Sequence, residues 1–345
     1  MLKTGKLDSR LLEEIVFKNI KFKRPEVITR PGIGEDCAVV DFGSYECVLS
    51  TDPITAAVGE IGKLAVHISC NDIASNGIEP LGILLAIMLP EGTAEEQAEI
   101  IMKQAGEVSE ELGVEIIGGH TEITSAVVRP VIVSTAIGRG EKWASQHTEN
   151  MKPGDYILIT KQAGMEGTGI IAGDFGKELT GILTEDEFQA AKEMLNQVSV
   201  VKEGVIAGKI GTAGMHDITE GGVLGSVWEM CNIAKTGAEV WIEQIPVSDI
   251  TKKICGHFGI NYLRLISSGS MMIMVNPEVK DQMLDTLRNA GIPVACIGKI
   301  CEQEAGIRMV TGDEKVVIEP PASDELYKVI SRGSLKRKND IDFMP

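Results

Sequence analysis

A chain of 345 residues with a net charge of −17 is long enough for two cores, and too acidic to offer nucleic acid or an anionic membrane more than a local basic face. No apolar run of membrane-spanning length occurs, and the start MLKTGKLDSRLLEE lacks the apolar centre of a signal peptide, so a soluble, cytoplasmic protein without membrane or nucleic-acid partners is expected. Seven cysteines with no CxxC pair point to reduced, mostly buried thiols rather than a disulfide frame or a zinc site.

In chain order, residues 46–51 (ECVLST), 81–89 (LGILLAIML), 114–117 (VEII) and 131–137 (VIVSTAI) read as strands, being short, apolar and bounded by Gly or Pro. Two helices alternate with them. In the first, Ile61, Ala65, Ile68 and Asp72 recur at helical spacing, which stacks them on one face and places a carboxylate on the apolar stripe. The second is expected to start at Thr93 with Glu96 completing a capping box, to bury Ala98, Ile101, Ala105, Val108 and Leu112, and to stop at Gly113. The polar segment 138–155 breaks the pattern before the strand DYILITK, which implies an N-terminal domain over 1–145 and a C-terminal domain over 146–345. The second unit reads as strands near 156–160, 238–242, 271–275 and 294–300, helices near 186–208, 223–235 and 277–290, and a frayed tail GSLKRKNDIDFMP.

Burying an unpaired carboxylate is costly, so Asp72 is expected to hold a cation, a metal or several hydrogen-bond donors. Asp36 in the glycine loop PGIGEDCAVV, Asp52 at the end of the strand in LSTDPI, and Asp217 beside His216 in MHDITEGG fall at element ends or in glycine loops too. Acids brought together repel one another unless a cation intervenes, and Mg2+ takes one or two carboxylates together with water and phosphate oxygens. The chemistry they suit is Mg-nucleotide binding. Glycines in PGIG (31–34), IGG (117–119), GMEGTG (164–169) and EGG (220–222) let backbone N–H groups approach phosphates, although no GxxxxGK[ST] occurs. Taken singly, Asp52 also reads as a turn residue, Lys63 as a surface lysine, and His120 and His216 as satisfied histidines. Asp72 is the one whose position resists a purely structural reading.

Taken in order, GEDCAVV, STDPI, EIGKLAVHISCNDIASNGIEPLGILL, IIGGHTEIT, HDITEGGVLGSV and SSGSMMIMV span roughly residues 30–300 and resemble the AIR synthase superfamily. That group includes aminoimidazole ribonucleotide synthase (PurM), the hydrogenase maturation factor HypE, thiamine-monophosphate kinase and selenophosphate synthetase; the IGKLAV…NDIA and SSGSMMIMV stretches look most like HypE. The resemblance implies a PurM-like two-domain fold, α/β plus α+β, whose N-terminal strands join those of a second subunit in a dimeric β-barrel-like core, and hence a homodimer. It also implies ATP in a cleft, phosphates bridged by Mg2+ to acidic residues, and transfer of the γ-phosphoryl group to an oxygen of an acceptor. Position by position, Asp36, Asp52 and Asp72 match the family's metal and phosphate ligands, Asn71 is the neighbour in the ND motif, and Lys63 matches the lysine of HypE's IGKLA. Gly34, Gly118, Gly119, Thr121, Gly221 and Gly222 fall in the segments expected around the nucleotide, and Asp72, Lys63, His120 and Asp217 are the candidate catalytic side chains. His120 stands where PurM, HypE and the thiamine-phosphate kinase carry an acid, as in selenophosphate synthetase; Glu122 two residues on could substitute. Glu220 stands where HypE's DPTRGG has arginine.

HypE finishes in a Pro-Arg-Ile-Cys tail whose cysteine carries the carbamoyl group that ATP dehydrates. This sequence ends DFMP and its last cysteine is Cys301, so the HypE reaction on its own chain is not expected. Cys37 beside Asp36 is a poor substitute, because neighbouring carboxylates raise a thiol's pKa. The N-terminal Cys or selenocysteine segment of selenophosphate synthetase is not found. The expected protein is thus an ATP- and Mg2+-dependent, HypE-like enzyme that phosphorylates an amide, carbonyl or phosphate oxygen of a small-molecule or protein acceptor, in hydrogenase or metal-centre maturation. Its rivals are an ATP-binding interaction protein without turnover and a purine- or thiamine-pathway member of the same superfamily.

Overall fold

The computed structural model describes residue 7 and residues 9–55, 58–321 and 323–331; the tail GSLKRKNDIDFMP lies outside them. The chain enters through a single turn, α1 (Ser9–Leu11), continued by helical turns at Leu12–Val16 and Phe17–Asn19. The first domain is built on β1 (Val27–Thr29), β2 (Ala38–Asp41), β3 (Tyr45–Ile54), α2 (Ile61–Ser75), β4 (Pro80–Leu89), α3 (Glu95–Leu112), β5 (Glu115–Ile123) and β6 (Val131–Glu141). Its six strands lie in the order β1-β2-β3-β6-β4-β5, with β4 and β5 parallel and joined by α3 in a βαβ crossover.

Three expectations for this domain are corrected. The start of α3 is Ala94, without a side-chain cap, while Thr93 Oγ1 donates to Pro90 O at 2.7 Å and closes the preceding turn instead. Gly113 does end α3, in the left-handed conformation that a glycine adopts without a Cβ clash. The strand read at 114–117 continues to Ile123, because β4, after a one-residue register shift at Ile117, keeps pairing from Leu84↔Gly118 as far as Leu89↔Ile123. Asp52 likewise lies within β3, not at its end.

The second domain contains β7 (Tyr156–Thr160), α4 (Met165–Asp174), α5 (Glu185–Glu193), α6 (Val201–Ile210), β8 (Gly214–Asp217), α7 (Gly222–Ala234), β9 (Gly237–Trp241), α8 (Asp249–Phe258), β10 (Met271–Val275), α9 (Lys280–Asn289), β11 (Val294–Cys301), β12 (Ile307–Thr311) and β13 (Glu314–Val317). Its seven strands run in the order β13-β12-β9-β11-β7-β10-β8. The GMEGTG stretch is the first turn of α4, not a loop. A Cβ on Gly167 would meet Leu265 at 2.4 Å and one on Gly169 would meet Leu195 at 2.6 Å, so these glycines serve close packing. The helix expected over 186–208 is broken between α5 and α6, where Asn71 of α2 holds the backbone of Val198 and Val200.

The central helix α2 is buried on nearly every side, including Val66, Ser69, Cys70 and Ile73 as well as Ile61, Ala65 and Asp72 of the expected stripe, whose Ile68 is half-buried. Its neighbours are β3, β6 and α3 on the first domain's side and α6 on the second's, so little beyond Lys63 and Ile68 is left for water. The crossing with α6 is tight: a Cβ on Gly204 would fall 2.2 Å from Ala74 O. Leu64 packs into the second domain's core and Val201 into the first's. This shared helix carries Asp72 to the junction of the two domains. Among the described residues no helix is long and apolar enough to cross a membrane.

Candidate active site

The carboxylates converge where α2 meets the end of β8. Ser75 Oγ on α2 accepts from Asp217 N at 3.1 Å and lies 3.3 Å from Asp217 Oδ1. One α-helical turn earlier, Asp72 Oδ2 accepts from Ser50 Oγ of β3, and that hydroxyl lies 3.3 Å from Asp52 Oδ2. Asp36, in the loop before β2, completes the group. Its Oδ2 is 3.5 Å from His216 Nδ1, and His216 Nε2 faces Glu229 Oε2 of α7 at 3.4 Å. Asp36, His216 and Asp217 offer ligand atoms within 4.8 Å of one another.

The electrostatics follow from this crowding. Burial, then the charges of Asp217, Asp52 and Asp36, push Asp72 well above the usual carboxylate range. Burial and Asp36 push Asp217 up to about 7, and burial with Asp36 and Glu149 does the same to Glu35. Burial works against a charge on His216, yet Asp36, Glu229 and Asp217 together raise it to about 10. The imidazole is therefore a cation at neutral pH, with Nδ1 donating to Asp217 O at 2.5 Å. It is the internal counter-ion of the acids.

These residues fit a hard divalent cation. Asp36, Asp52, Asp72 and Asp217 supply carboxylate oxygens, and Asp217 Oδ2 is buried with no hydrogen-bond partner. His216 and Glu229 were missed by sequence reasoning as parts of this centre; only the adjacency of His216 to Asp217 hinted at the first, and nothing local marks the second.

Other candidate residues lie elsewhere. Lys63 stands nine residues before Asp72, about 13 Å along the helix axis, and pairs with Glu60 at 2.7 Å and Asn196 at 3.4 Å. The amide of Asn71 is taken up by the backbone: Nδ2 donates to Val198 O at 2.7 Å and Oδ1 accepts from Val200 N at 2.8 Å. Asn71 fastens the second domain to α2. Gly118, Gly119, His120 and Thr121 lie on the outer strand β5, where the register Asp52↔Ser134, Ser134↔Leu85, Leu85↔Gly119 puts Gly119 three strands from Asp52, about 14 Å away. His120 is exposed there and pairs with Glu122 at 3.3 Å. Gly119 is needed for strand packing, since a Cβ would sit 2.0 Å from Leu85 O. Gly221 N donates to Asp324 Oδ2 at 2.7 Å, and a Cβ on Gly222 would meet Leu263 O at 2.7 Å, so the EGG turn is committed to the chain. Gly34 adopts φ +80° against Ile233 and Glu229, which brings the Asp36 loop onto α7. Beside that loop opens a cavity of about 680 Å³, lined by Phe17, Ile33, Glu35, Trp143, Asn150 and Asn232 among others.

Residues 34–140 match the family model described as AIR synthase related protein, N-terminal domain, and residues 152–310 match that of the C-terminal domain. The chain belongs to the AIR synthase related family. This AIR synthase related protein is 27% identical to a protein of Methanocaldococcus jannaschii named for hydrogenase expression/formation, over 94% of the chain and 97% of that relative. It is 26% identical to carbamoyl dehydratase HypE of Rhizobium leguminosarum bv. viciae, over 81% and 80%. The crystal structure of hydrogenase maturation protein HypE in complex with ATP superposes with a TM-score of 0.72 at 23% identity, covering 94% of this chain and 97% of that one. The two-domain, PurM-like architecture of the AIR synthase related family is thus present, and the described chain presents its first sheet with β5 at an open edge.

Proposed function

We propose that this protein is an ATP- and Mg2+-dependent, HypE-like enzyme of hydrogenase or metal-centre maturation that activates an amide, carbonyl or phosphate oxygen of an acceptor by phosphorylation. The observation that carries this reading is the convergence of Asp36, Asp52, Asp72 and Asp217 at the domain junction, with one buried carboxylate oxygen left without a partner. The kinship to carbamoyl dehydratase HypE and the fold shared with an ATP complex support it. Asp36, Asp52 and Asp72, with Asp217 beside them, would hold Mg2+, which when bound screens the negative charge of a triphosphate.

The chain's own contribution is positioning. Ser50 and Ser75 orient Asp72 and Asp217, and Asn71 locks α2 against the second domain, so the acids are set before the nucleotide arrives. As the acceptor oxygen attacks the γ-phosphorus and the bond to ADP breaks, the unpartnered Oδ2 of Asp217 can take the proton of an acceptor that carries one, from an amide nitrogen or a protonated phosphate. Burial raises the pKa of all seven cysteines, with the surrounding aspartates adding to it at Cys37. None is an activated thiolate, which favours an acceptor carried by another molecule, small or protein.

A second reading, a nucleotide-binding interaction protein without turnover, is favoured by His120 lying on the outer strand and by Gly221 N being already bonded to Asp324. Gamma-labelled ATP supplied with Mg2+, alone and with metabolite or protein fractions, separates the two. Label on an acceptor together with ADP supports the enzyme; ATP bound and recovered intact in every fraction supports the interaction protein.

A further inference from the structure

A further set of acids lies within the second domain, outside the group at the junction. Glu166 sits in the first turn of α4 and is 5% exposed, with its Oε2 buried and without a hydrogen-bond partner. Burial raises it to about 7; Ser268, in the loop before β10, opposes the rise, and the charges of Asp324 and Glu220 add to it. Asp324, buried in the segment after β13, is fixed by two backbone donors, Gly221 N at 2.7 Å and Leu326 N at 2.8 Å. Glu220 accepts from Tyr327 Oη at 2.7 Å. Burial and then that bond hold the phenol well above its ordinary pKa, with Asp324 and Glu166 adding to the effect, so it stays a donor. The start of α4, the EGG turn and the segment after β13 thus deliver their acids to one place.

No cation is built into it. Among the described residues no ion pair includes Glu166, Glu220 or Asp324; Lys328 of the same segment pairs with Glu325 at 2.6 Å, and Arg264 donates to Glu319 O at 2.8 Å. The chain carries the acid Glu220 where HypE has arginine, so the excess of negative charge is its own. A bare metal ion does not suit these acids, because among the described residues the group whose ligand atoms close to within 4.8 Å is Asp36, His216 and Asp217. A guanidinium suits them. It is planar and permanently charged, and its N–H donors fan outward to acceptors that a single ion does not span. Glu220 and Tyr327 are half-buried, which leaves the set open to solvent on their side. Glu166, with an oxygen awaiting a donor, forms its floor.

We propose that Glu166, Glu220, Asp324 and Tyr327 form a second ligand site, which takes the guanidinium group of a small molecule or of a protein arginine. The proposal does not depend on the ATP-using reading above. Calorimetric titrations of the full-length protein at about pH 8, where Glu166 is ionised, test it with two matched pairs. Agmatine is compared with N-carbamoylputrescine, whose urea keeps the shape and drops the charge, and an acetylated Gly-Arg-Gly amide with its citrulline counterpart. At least one guanidinium ligand should bind about tenfold or more tightly than its urea partner. Tighter binding of agmatine identifies a small guanidine as the ligand, tighter binding of the peptide a protein arginine. Glu166→Gln keeps the shape and removes a buried charge, so it should melt no lower than the wild type and still lose about tenfold or more in that affinity. Glu220→Gln, in the half-exposed turn, should lose affinity as well. Equal binding of guanidine and urea, no binding of either guanidinium ligand, or full affinity in Glu166→Gln would overturn the site. A wild type that binds agmatine or the arginine peptide but not Mg-ATP would overturn the ATP reading and leave this site standing.

Discussion

His67 lies on α2 four residues before Asn71, 4% exposed, with its Nδ1 buried and unbonded. Burial, reinforced by Lys161 and Lys63, lowers its pKa from 6.5 to about 4. Between those values the unfolded chain takes up a proton that the folded chain refuses, so stability rises with pH across this window and is lost on acidification, by up to about 3 kcal/mol. Urea midpoints at pH 7, 5.5 and 4.5 should therefore fall, and His67→Leu should flatten the decline; an unaltered slope would assign it to other groups. The acids at the junction behave in the opposite sense. Asp217, raised to about 7 by burial and Asp36, keeps a proton that the unfolded chain has released above 3.8, so it lowers metal-free stability as pH rises toward neutrality. Asp72 is raised in the same direction. Asp72→Asn should accordingly raise metal-free stability at pH 7.5 by roughly 1–3 kcal/mol. The same variant should lose most of the stabilisation that Mg-ATP confers on the wild type, about 2.7 kcal/mol at roughly a hundred times Kd. Equal ligand-induced melting shifts in the two proteins would remove Asp72 from the site.

Helix packing sets the distance between Asp72 and Asp217, because one rides on α2 and the other follows α6 at the end of β8. Glycines let those helices touch: besides the 2.2 Å clash already noted at Gly204, a Cβ on Gly208 would lie 2.5 Å from the Cα of Gly77, just beyond the end of α2. Neither the backbone of Ala74 nor that of Gly77 can yield as a flexible side chain could. Gly204→Ala should thus cost about 3 kcal/mol or more in stability and weaken Mg-ATP binding as well, since the carboxylates are spread apart. Gly106→Ala is the control. It lies within α3 with nothing within 4 Å of the added carbon, and should stabilise by roughly 0.5–1 kcal/mol through the better helix propensity of alanine. Denaturant titration of both variants tests the pair, and a stabilised Gly204→Ala would mean that the helix crossing is looser than described.

At the scale of the whole molecule, the open strand β5 carries Ile117 and Ile123, 48% and 57% exposed, beside Leu81 at 61% on β4. An apolar sheet edge with unpaired backbone groups is an association hazard unless a partner covers it. A second copy meeting this face about a two-fold axis would do so, which agrees with the homodimer that the family resemblance implies. Light scattering at micromolar concentration should give twice the chain mass for the wild type and a smaller particle for Ile123→Lys. A monomeric wild type would rule out this face as a dimer interface.

Much of the candidate site could be read along the chain. Asp72 was placed by helical period, Asp36 and Asp217 by the glycine turns around them, and Asp52 by the apolar strand it was expected to end, since period and turn chemistry arise from local backbone geometry. The order of those motifs carried the family. Tertiary packing decided the rest. It made His216 a buried cation facing Glu229, spent the Asn71 amide on Val198 and Val200, moved His120 three strands outward, and stood Trp143 over a cavity built from the N-terminal turns, the Asp36 loop and α7. Each of those outcomes depends on groups far apart in sequence, such as the 142 positions between Ser75 and Asp217. Local propensity carries no record of which distant partner a side chain will meet; that is settled when α2 is buried between the two domains and every polar group on it must find a partner there.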